Sequence, residues 1–460
     1  MPSPSTAIAG QVTGIKSLFA KFEQINDPLI SSFAGSVPET FPEIVEHISS
    51  RNVLVTDFIL QNRTKLRSLV QKFHTQAGTS TPGVENSIAL LSDPTTQILV
   101  STHQPNLFPY GGILKKIVLL EALKESIGRL NGGKKIVNLF IVVDHDFVDE
   151  TWIRQAQLPS IKHSSGIMEI RLPVKDSKRW QMVCNVALPS RYLLNHWKLQ
   201  VKSWIRLHTG RGINCDKRTL MANLEDFWQR VMVASYSRAS SYADLNSFAL
   251  SKLANEVWNY STIFVRLSEM SSVFENGFAF LIANHAAYSD ALKRAEGILM
   301  SRGIDTGVSP SSYLNAPLWL HCPCGSKASA RISNNNDDLL LAGSCMSCEK
   351  ELQLNLGDQD DFDISRFIRD LSPRAIPIPL LLTRDLGVSC YASGTGGLGY
   401  LIDGNVICKN LSLNLPLVVL WPSRDICNGI AQTGAAALLK AAGVENTEHN
   451  LTLLRTLHAE

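Results

Sequence analysis

Four cysteines in HCPCGSKASARISNNNDDLLLAGSCMSCEKELQLNL, residues 321–356, stand as Cys322-x-Cys324 and Cys345-x-x-Cys348. Two thiol pairs on two turns, each beside a glycine, supply the donors of a tetrahedral structural zinc site. All-thiolate coordination leaves no open position, so such a zinc supports folding rather than chemistry. C-x-C is tighter than the usual C-x-x-C, which makes His321 an alternative to one of the first pair. The stretches ARIS, LLLAG and ELQLNL read as strands, with the asparagine run as a hairpin tip, giving a small zinc ribbon at 317–356.

Three polar stretches follow apolar runs. In STHQPNLFPYGG (101–112), His103 stands between a strand-like run and a helical one, with Gly111 and Gly112 at the helix start. A helix N-terminus offers free N–H groups to an anion, and a histidine there can donate to a phosphate or carry a proton. The bland alternative is a proline-stiffened turn. In IVVDHDFVDE (141–150), Asp144 and Asp146 flank His145, with Asp149 and Glu150 following. Carboxylates around an imidazole raise its pKa and orient it as a general base or a clamp for a substrate amine, and Asp-x-Asp can hold Mg²⁺. The bland alternative is an acidic strand end that caps the following segment. In YASGTGGLGYL (391–401), Gly394, Gly396, Gly397 and Gly399 form a turn able to cradle a phosphate or simply to pack tightly. Its spacing is not that of the dinucleotide fingerprint.

These stretches need elements to hold them. Residues 1–95 read as helical, through KSLFAKFEQI, PEIVEHISS and VTDFILQNRTKLRSLVQKFH. Beyond them come apolar strands at 97–101, 135–144, 261–268, 387–393 and 415–421, with helices at 112–127, 242–259 and 278–300 between most of them. That alternation predicts an α/β fold with a mainly parallel sheet covered on both faces, its ligands lying beyond the carboxyl ends of the strands. The expected organisation is a helical N-terminal region (1–95), a core in two parts (96–316 and 357–460, the second with a C-terminal helix), and the inserted ribbon (317–356). The run GIAQTGAAALLKAAGV (429–444) suits a closing helix or a homodimer contact.

Bulk properties bound the partners. A net charge of +3 over 460 residues, without a dense Lys/Arg run, gives no reason to expect nucleic acid. The apolar runs are too short to span a bilayer, and MPSPSTAIAGQVTGIKSLF does not read as a secretory signal. Nine cysteines, an odd number, suit reduced thiols. A soluble cytoplasmic protein is expected.

HQPNLFPYGGILKK, then DHDF at a strand end, then YxSGxGGLGY, together with ENSIALLSDPTTQILVS, SYADLNSFALSKL and LSPRAIPIPLL, resemble the BshC family of cysteine-adding enzymes in bacillithiol biosynthesis over about 20–425. The resemblance implies a Rossmann-like core akin to class I aminoacyl-tRNA synthetases and nucleotidyltransferases. It also implies a ligase joining an amino acid, cysteine in the family, to the amine of a small acceptor such as glucosaminyl-malate. Forming an amide in water needs an activated carboxylate, so Mg-ATP or another phosphate donor is the natural expectation. Carried over by position, His103, Gln104, Asn106, Gly111 and Gly112 line the nucleotide pocket. Asp144, His145 and Asp146 form the opposite wall, and Gly394, Gly396 and Gly397 the late loop. The chain departs from the family at His103 (where Gln-Gln is usual), at Thr151 and Trp152 (Asn-His) and at Gly397 (Glu). The family's long C-terminal coiled coil is expected to be missing or much reduced. The HQP opening is similar to that of WbqC-like proteins. A nucleotidyltransferase and a non-catalytic zinc-containing binding protein are the competing readings.

Overall fold

The computed structural model describes residues 33–421 apart from 34, 35, 39, 52, 110, 131, 132, 161, 164–166, 210–215, 302–307, 309–311, 336, 337, 359, 360, 395 and 396. The expected helices at 16–25 and 429–444, together with Cys215, Cys427 and Gly396, lie outside the described residues.

All five apolar runs become strands of one parallel sheet: β1 (Gln97–His103), β2 (Ile136–Val142), β5 (Ile263–Arg266), β12 (Val388–Gly394) and β13 (Leu417–Trp421). Their spatial order is β13-β12-β1-β2-β5. The chain winds outward from β1 through β2 to β5, then returns to the other side of β1 and winds out again through β12 to β13. His103 lies beside Val142, and Val142 beside Arg266, so these strands end together at one edge of the sheet.

Both faces of the sheet are covered, which is why its strands are mostly apolar rather than alternating. On β2, Val137, Leu139 and Ile141 join the main core, whereas Phe140 and Val142 join a second cluster with Phe73, Ile113, Ile117 and Phe264. The N-terminal helices α1 (Phe41–Ser50), α2 (Asp57–Ala77) and α3 (Pro82–Leu90) are part of this packing. Arg63 of α2 is fully buried, and its guanidinium donates to the carbonyls of Thr96 and Leu386, just ahead of β1 and β12. His74 of α2 accepts from the Phe264 amide of β5.

Helix α4 (Gly111–Leu130) connects β1 to β2. A third cluster is built around Trp197 of α5 (Arg191–His208) and Trp228, which follows α6 (Lys217–Phe227), beside the hairpin of β3 (Gln155–Pro159) and β4 (Ile167–Arg171). Helix α7 (Tyr242–Lys252) precedes β5. The expected helix at 278–300 is two: α8 (Glu275–Ala283) and α9 (His285–Ser301), parted at Asn284.

The cysteine segment adds β6 (Leu318–His321), β7 (Lys327–Ser329), β8 (Arg331–Asn335), β9 (Asp338–Ser344) and β10 (Glu351–Asp358). Strands β8, β9 and β10 form one antiparallel sheet, while β6 pairs with β7 and with β11 (Leu371–Pro373) in another. Helix α10 (Ile378–Leu386) then ends at Gly387, whose φ of +61° is the left-handed cap that turns the chain into β12. Helix α11 (Leu398–Asn410) follows β12. Among the described residues, no helix is long and apolar enough to cross a membrane.

Candidate functional site

A cavity of about 500 Å³ opens at the carboxyl ends of β1, β2 and β12, where the winding of the sheet reverses. That size suits a small-molecule ligand. Its walls include Thr102, His103 and Gln104 from the end of β1, and His145, Asp146 and Glu150 from the loop after β2. Ser393, Gly394, Gly397 and Tyr400 come from the β12–α11 turn. The remaining side is closed by Trp319 of β6, Lys327 of β7 and Arg374 just after β11.

The loop after β1 is fixed by its apolar residues. Phe108 takes φ +48°, a conformation that costs a non-glycine residue energy, and its ring packs against Trp197 and Trp228 at centroid distances of 6.1 and 5.9 Å. The Leu107 amide donates to the Ile153 carbonyl. His103 is the last residue of β1, not a residue of the helix start. Burial, and then the charge of Lys116, push its imidazole down to about 3, so it is neutral and offers no cationic stabilisation.

Positive charge comes instead from Lys116, which the sequence reading passed over. It is 8% exposed, its Nζ donates to the Thr102 carbonyl at 3.2 Å, and burial lowers it to about 8. None of the ion pairs among the described residues involves it. A buried ammonium held by a single carbonyl is costly unless an anion reaches it. Its spacing carried a signal: Ile113, Ile117 and Leu120 mark the apolar face of α4, and Lys116 falls on that face. Arg374 lies over the Trp319 ring at 4.1 Å and donates to Ser329 Oγ at 2.8 Å. It too makes no carboxylate contact among those ion pairs.

The 144–146 segment divides its work differently from the expectation. Asp144 is fully buried and does not face the cavity. Its carboxylate accepts from the Ser268 amide at 2.9 Å and from Ser268 Oγ at 2.6 Å, tying the end of β2 to the end of β5. Burial nonetheless raises it to about 6. With Asp144 so engaged, the Asp-x-Asp pair does not converge on a cation. Nor does either carboxylate orient His145. That imidazole lies well below its usual value through burial, then through Lys327 and His321, and its Nδ1 makes no hydrogen bond. The expected rise in its pKa is therefore a fall, because burial dominates and the ammonium of Lys327 adds to it. Asp146 accepts from Gln104 Nε2 at 2.8 Å and lies 3.8 Å from Lys327 Nζ, which places Gln104 and Asp146 on one wall.

Of the remaining predicted residues, Gly394 and Gly397 line the cavity, whereas Asn106 is buried away from its walls. Gly111 and Gly112 open α4, and Gly112 is not among the described residues of the wall. A Cβ at Gly397 would stand 2.7 Å from Ser393 Oγ, too close for any side chain without movement.

Cys322, Cys324, Cys345 and Cys348 come together, their sulfurs all within 4.8 Å of one another. The pairs Cys322–Cys348 and Cys324–Cys345 are 3.6 Å apart. A tetrahedral tetrathiolate site with bonds of ~2.3 Å has edges of roughly 3.8 Å, so the donor set fits a metal ion. Burial opposes ionisation of Cys345, but the amides of Cys348 and Ser347 and the neighbouring thiols outweigh it and bring the group to about 7. His321 is not a ligand: its Nε2 pairs with Ser372 Oγ at 2.8 Å. Lys327 and Trp319, carried by the same hairpin, reach the cavity, which spacing alone did not foretell.

No family model matches the chain, and no curated protein matches it.

Proposed function

We propose that the protein is a Rossmann-like enzyme that binds a phosphate-bearing substrate in this cavity and forms a carbon–nitrogen bond, in the manner of a BshC-like amino-acid-adding ligase. The observation that carries the reading is Lys116, a buried ammonium that forms no ion pair among the described residues, facing a ligand-sized cavity at the reversal point of a parallel sheet. The turn of Gly394 and Gly397 lets an anion approach the backbone. Arg374 and Trp319 supply a second cation and a flat apolar surface. Joining an amino acid's carboxylate to an amine expels an oxygen that must first be activated, and Mg-ATP supplies the phosphoryl or nucleotidyl group. The attacking amine loses a proton in the step. His145 and Asp146 both line the cavity, and we assign the receipt of that proton to this pair. Zinc is the metal that four closed thiolates favour, and its role is structural.

The test uses zinc-replete full-length protein with Mg-ATP, glucosaminyl-malate and a pool of amino acids. Products are followed by mass spectrometry beside a His145→Ala control. An amide product with AMP or ADP, absent in the control, is the expected result. A stable nucleotidylated product with pyrophosphate release would replace ligation by nucleotidyl transfer. If calorimetry shows that neither ATP nor pyrophosphate binds, the anion-binding reading itself is wrong.

A further inference from the structure

The four-cysteine turn reaches the loop after β2 in two ways, directly through Lys327 and indirectly through the 182–185 segment. Lys327 of β7 is 1% exposed and reaches across to donate to the His145 carbonyl at 2.7 Å. Its ammonium is held between the faces of Phe147 and Trp319, at 4.7 and 4.5 Å, with Asp146 at 3.8 Å. The second point is Gly325, directly after Cys324. Its carbonyl accepts from the Met182 amide at 2.9 Å and from Asn185 Nδ2 at 3.1 Å. Gly325 has φ +89°, a conformation that glycine tolerates and other residues do not. The Met182 segment passes the connection on. The amides of Val183 and Cys184, next in the chain, both donate at 2.8 Å to the carbonyls of Asp146 and Asp144.

Every backbone carbonyl from residue 144 to residue 146 is thus held, either by Lys327 or by the segment that Gly325 anchors. The cysteine turn is closed by its own bonds, Cys322 amide to Ser326 carbonyl and Gly325 amide to Cys322 carbonyl. Gly325 lies inside that turn and Lys327 leaves it directly, so the thiol geometry fixes where both contacts begin.

We propose that the four-cysteine centre is a positioning device for residues 144–146, acting through Lys327 and the Gly325 carbonyl, so that metal occupancy and ligand binding in the cavity are coupled. Lys327 is here a positioning residue. Its ammonium is spent on a carbonyl and two aromatic faces, and it acts on the cavity through His145 and Asp146. Coupling of this kind is reciprocal: a ligand that needs residues 144–146 in place raises the affinity for the metal by the same factor that the metal raises its own. The functional part rests on the cavity being the substrate site. The mechanical part does not.

Hydrogen exchange of the full chain, read by mass spectrometry, separates the two. Zinc-loaded protein is compared with chelator-treated protein and with zinc-loaded Lys327→Met and Lys327→Arg. Chelation is expected to speed exchange at least tenfold in peptides covering 144–148 and 181–186, and to leave β12 peptides unchanged. Lys327→Met, with its zinc content verified as wild type, is expected to speed exchange at 144–148 alone. Lys327→Arg, which keeps a cation between the two rings, is expected to restore most of the protection. Unchanged exchange at 144–148 in Lys327→Met overturns the proposal, and does so even if chelation unfolds the whole chain. Zinc titrations with and without saturating pyrophosphate complete the test. An unchanged zinc affinity despite pyrophosphate binding refutes the coupling. If pyrophosphate does not bind at all while the exchange pattern holds, the positioning role stands and the substrate-site reading falls.

Discussion

Lys116→Met separates binding from stability, because the two should move in opposite directions. The folded state holds this ammonium down from 10.5 to about 8, with burial as the cause. At 1.36 kcal/mol per tenfold change in proton affinity, its charged form is penalised by ~3 kcal/mol. The sign follows from linkage. A lysine whose folded pKa is lowered destabilises the fold wherever it must be charged, so the full penalty applies below pH 8. It is relieved as pH rises from about 8 to 10.5, because there the unfolded chain binds more protons than the folded one. Methionine keeps the length and apolar stem of lysine while removing the charge and its contact with the Thr102 carbonyl. At pH 7 the unliganded variant should be more stable, by up to ~3 kcal/mol less whatever the lost hydrogen bond contributed, about 1 kcal/mol. The gain should shrink toward zero by pH 10–11. Pyrophosphate or ATP binding should weaken by roughly 10- to 150-fold, the range of one charge-assisted hydrogen bond. Urea denaturation at pH 7 and pH 10, with isothermal calorimetry, gives both numbers. A variant that is less stable at pH 7 would mean that Lys116 has a structural counter-charge. Unchanged binding would mean that no anion sits at this lysine.

Two further predictions concern the core. Asp385 of α10 is fully buried, one carboxylate oxygen lacks a hydrogen bond, and burial raises the group to about 6 despite its pairing with Arg384. The folded state therefore holds a proton that the unfolded chain releases near 3.8, so stability is highest below about pH 4 and falls as pH rises to 6. Asp385→Asn should remove this slope and raise the unfolding free energy at pH 7, measured by urea denaturation, by up to ~3 kcal/mol; the same slope in wild type and variant would refute the assignment. A Cβ built at Gly277 of α8 would overlap Asp385 Oδ2 and Leu381 Cδ2 across the α8–α10 contact. Gly277→Ala should cost ~1–3 kcal/mol by overpacking, measured by urea unfolding, and a neutral result would show that the two helices can part freely.

What local chemistry dictates was legible in the chain. Each strand of the parallel sheet announced itself, because a strand buried on both faces carries an apolar run, as ILV at 98–100 and LFIVV at 139–143 do. The four cysteines were legible because metal ligands must be near one another, and short spacings on two turns bring that about. Even Lys116 was visible as a charge on an apolar helical stripe. Direction was not legible. Asp144, His145 and Asp146 are consecutive, yet they stand in the turn that follows β2, where no strand period fixes which way each side chain leaves. Only β5, from far along the chain, made Ser268 the partner of Asp144 and left Asp146 to Gln104.

The sequence by itself therefore determined the five strands of the parallel sheet and the thiol cluster, since each depends on residues within a few positions of one another, whereas the hairpin of β3 and β4 and the short strands β6, β7 and β11 went unread. The tertiary structure alone decided the order β13-β12-β1-β2-β5 and the placing of the cavity at its reversal. It also decided that a lysine of the cysteine hairpin reaches a carbonyl 182 positions away in the chain. Burial, and with it the charge state of His103, Lys116 and His145, depends on which distant segments close over a group. No local pattern contains that information.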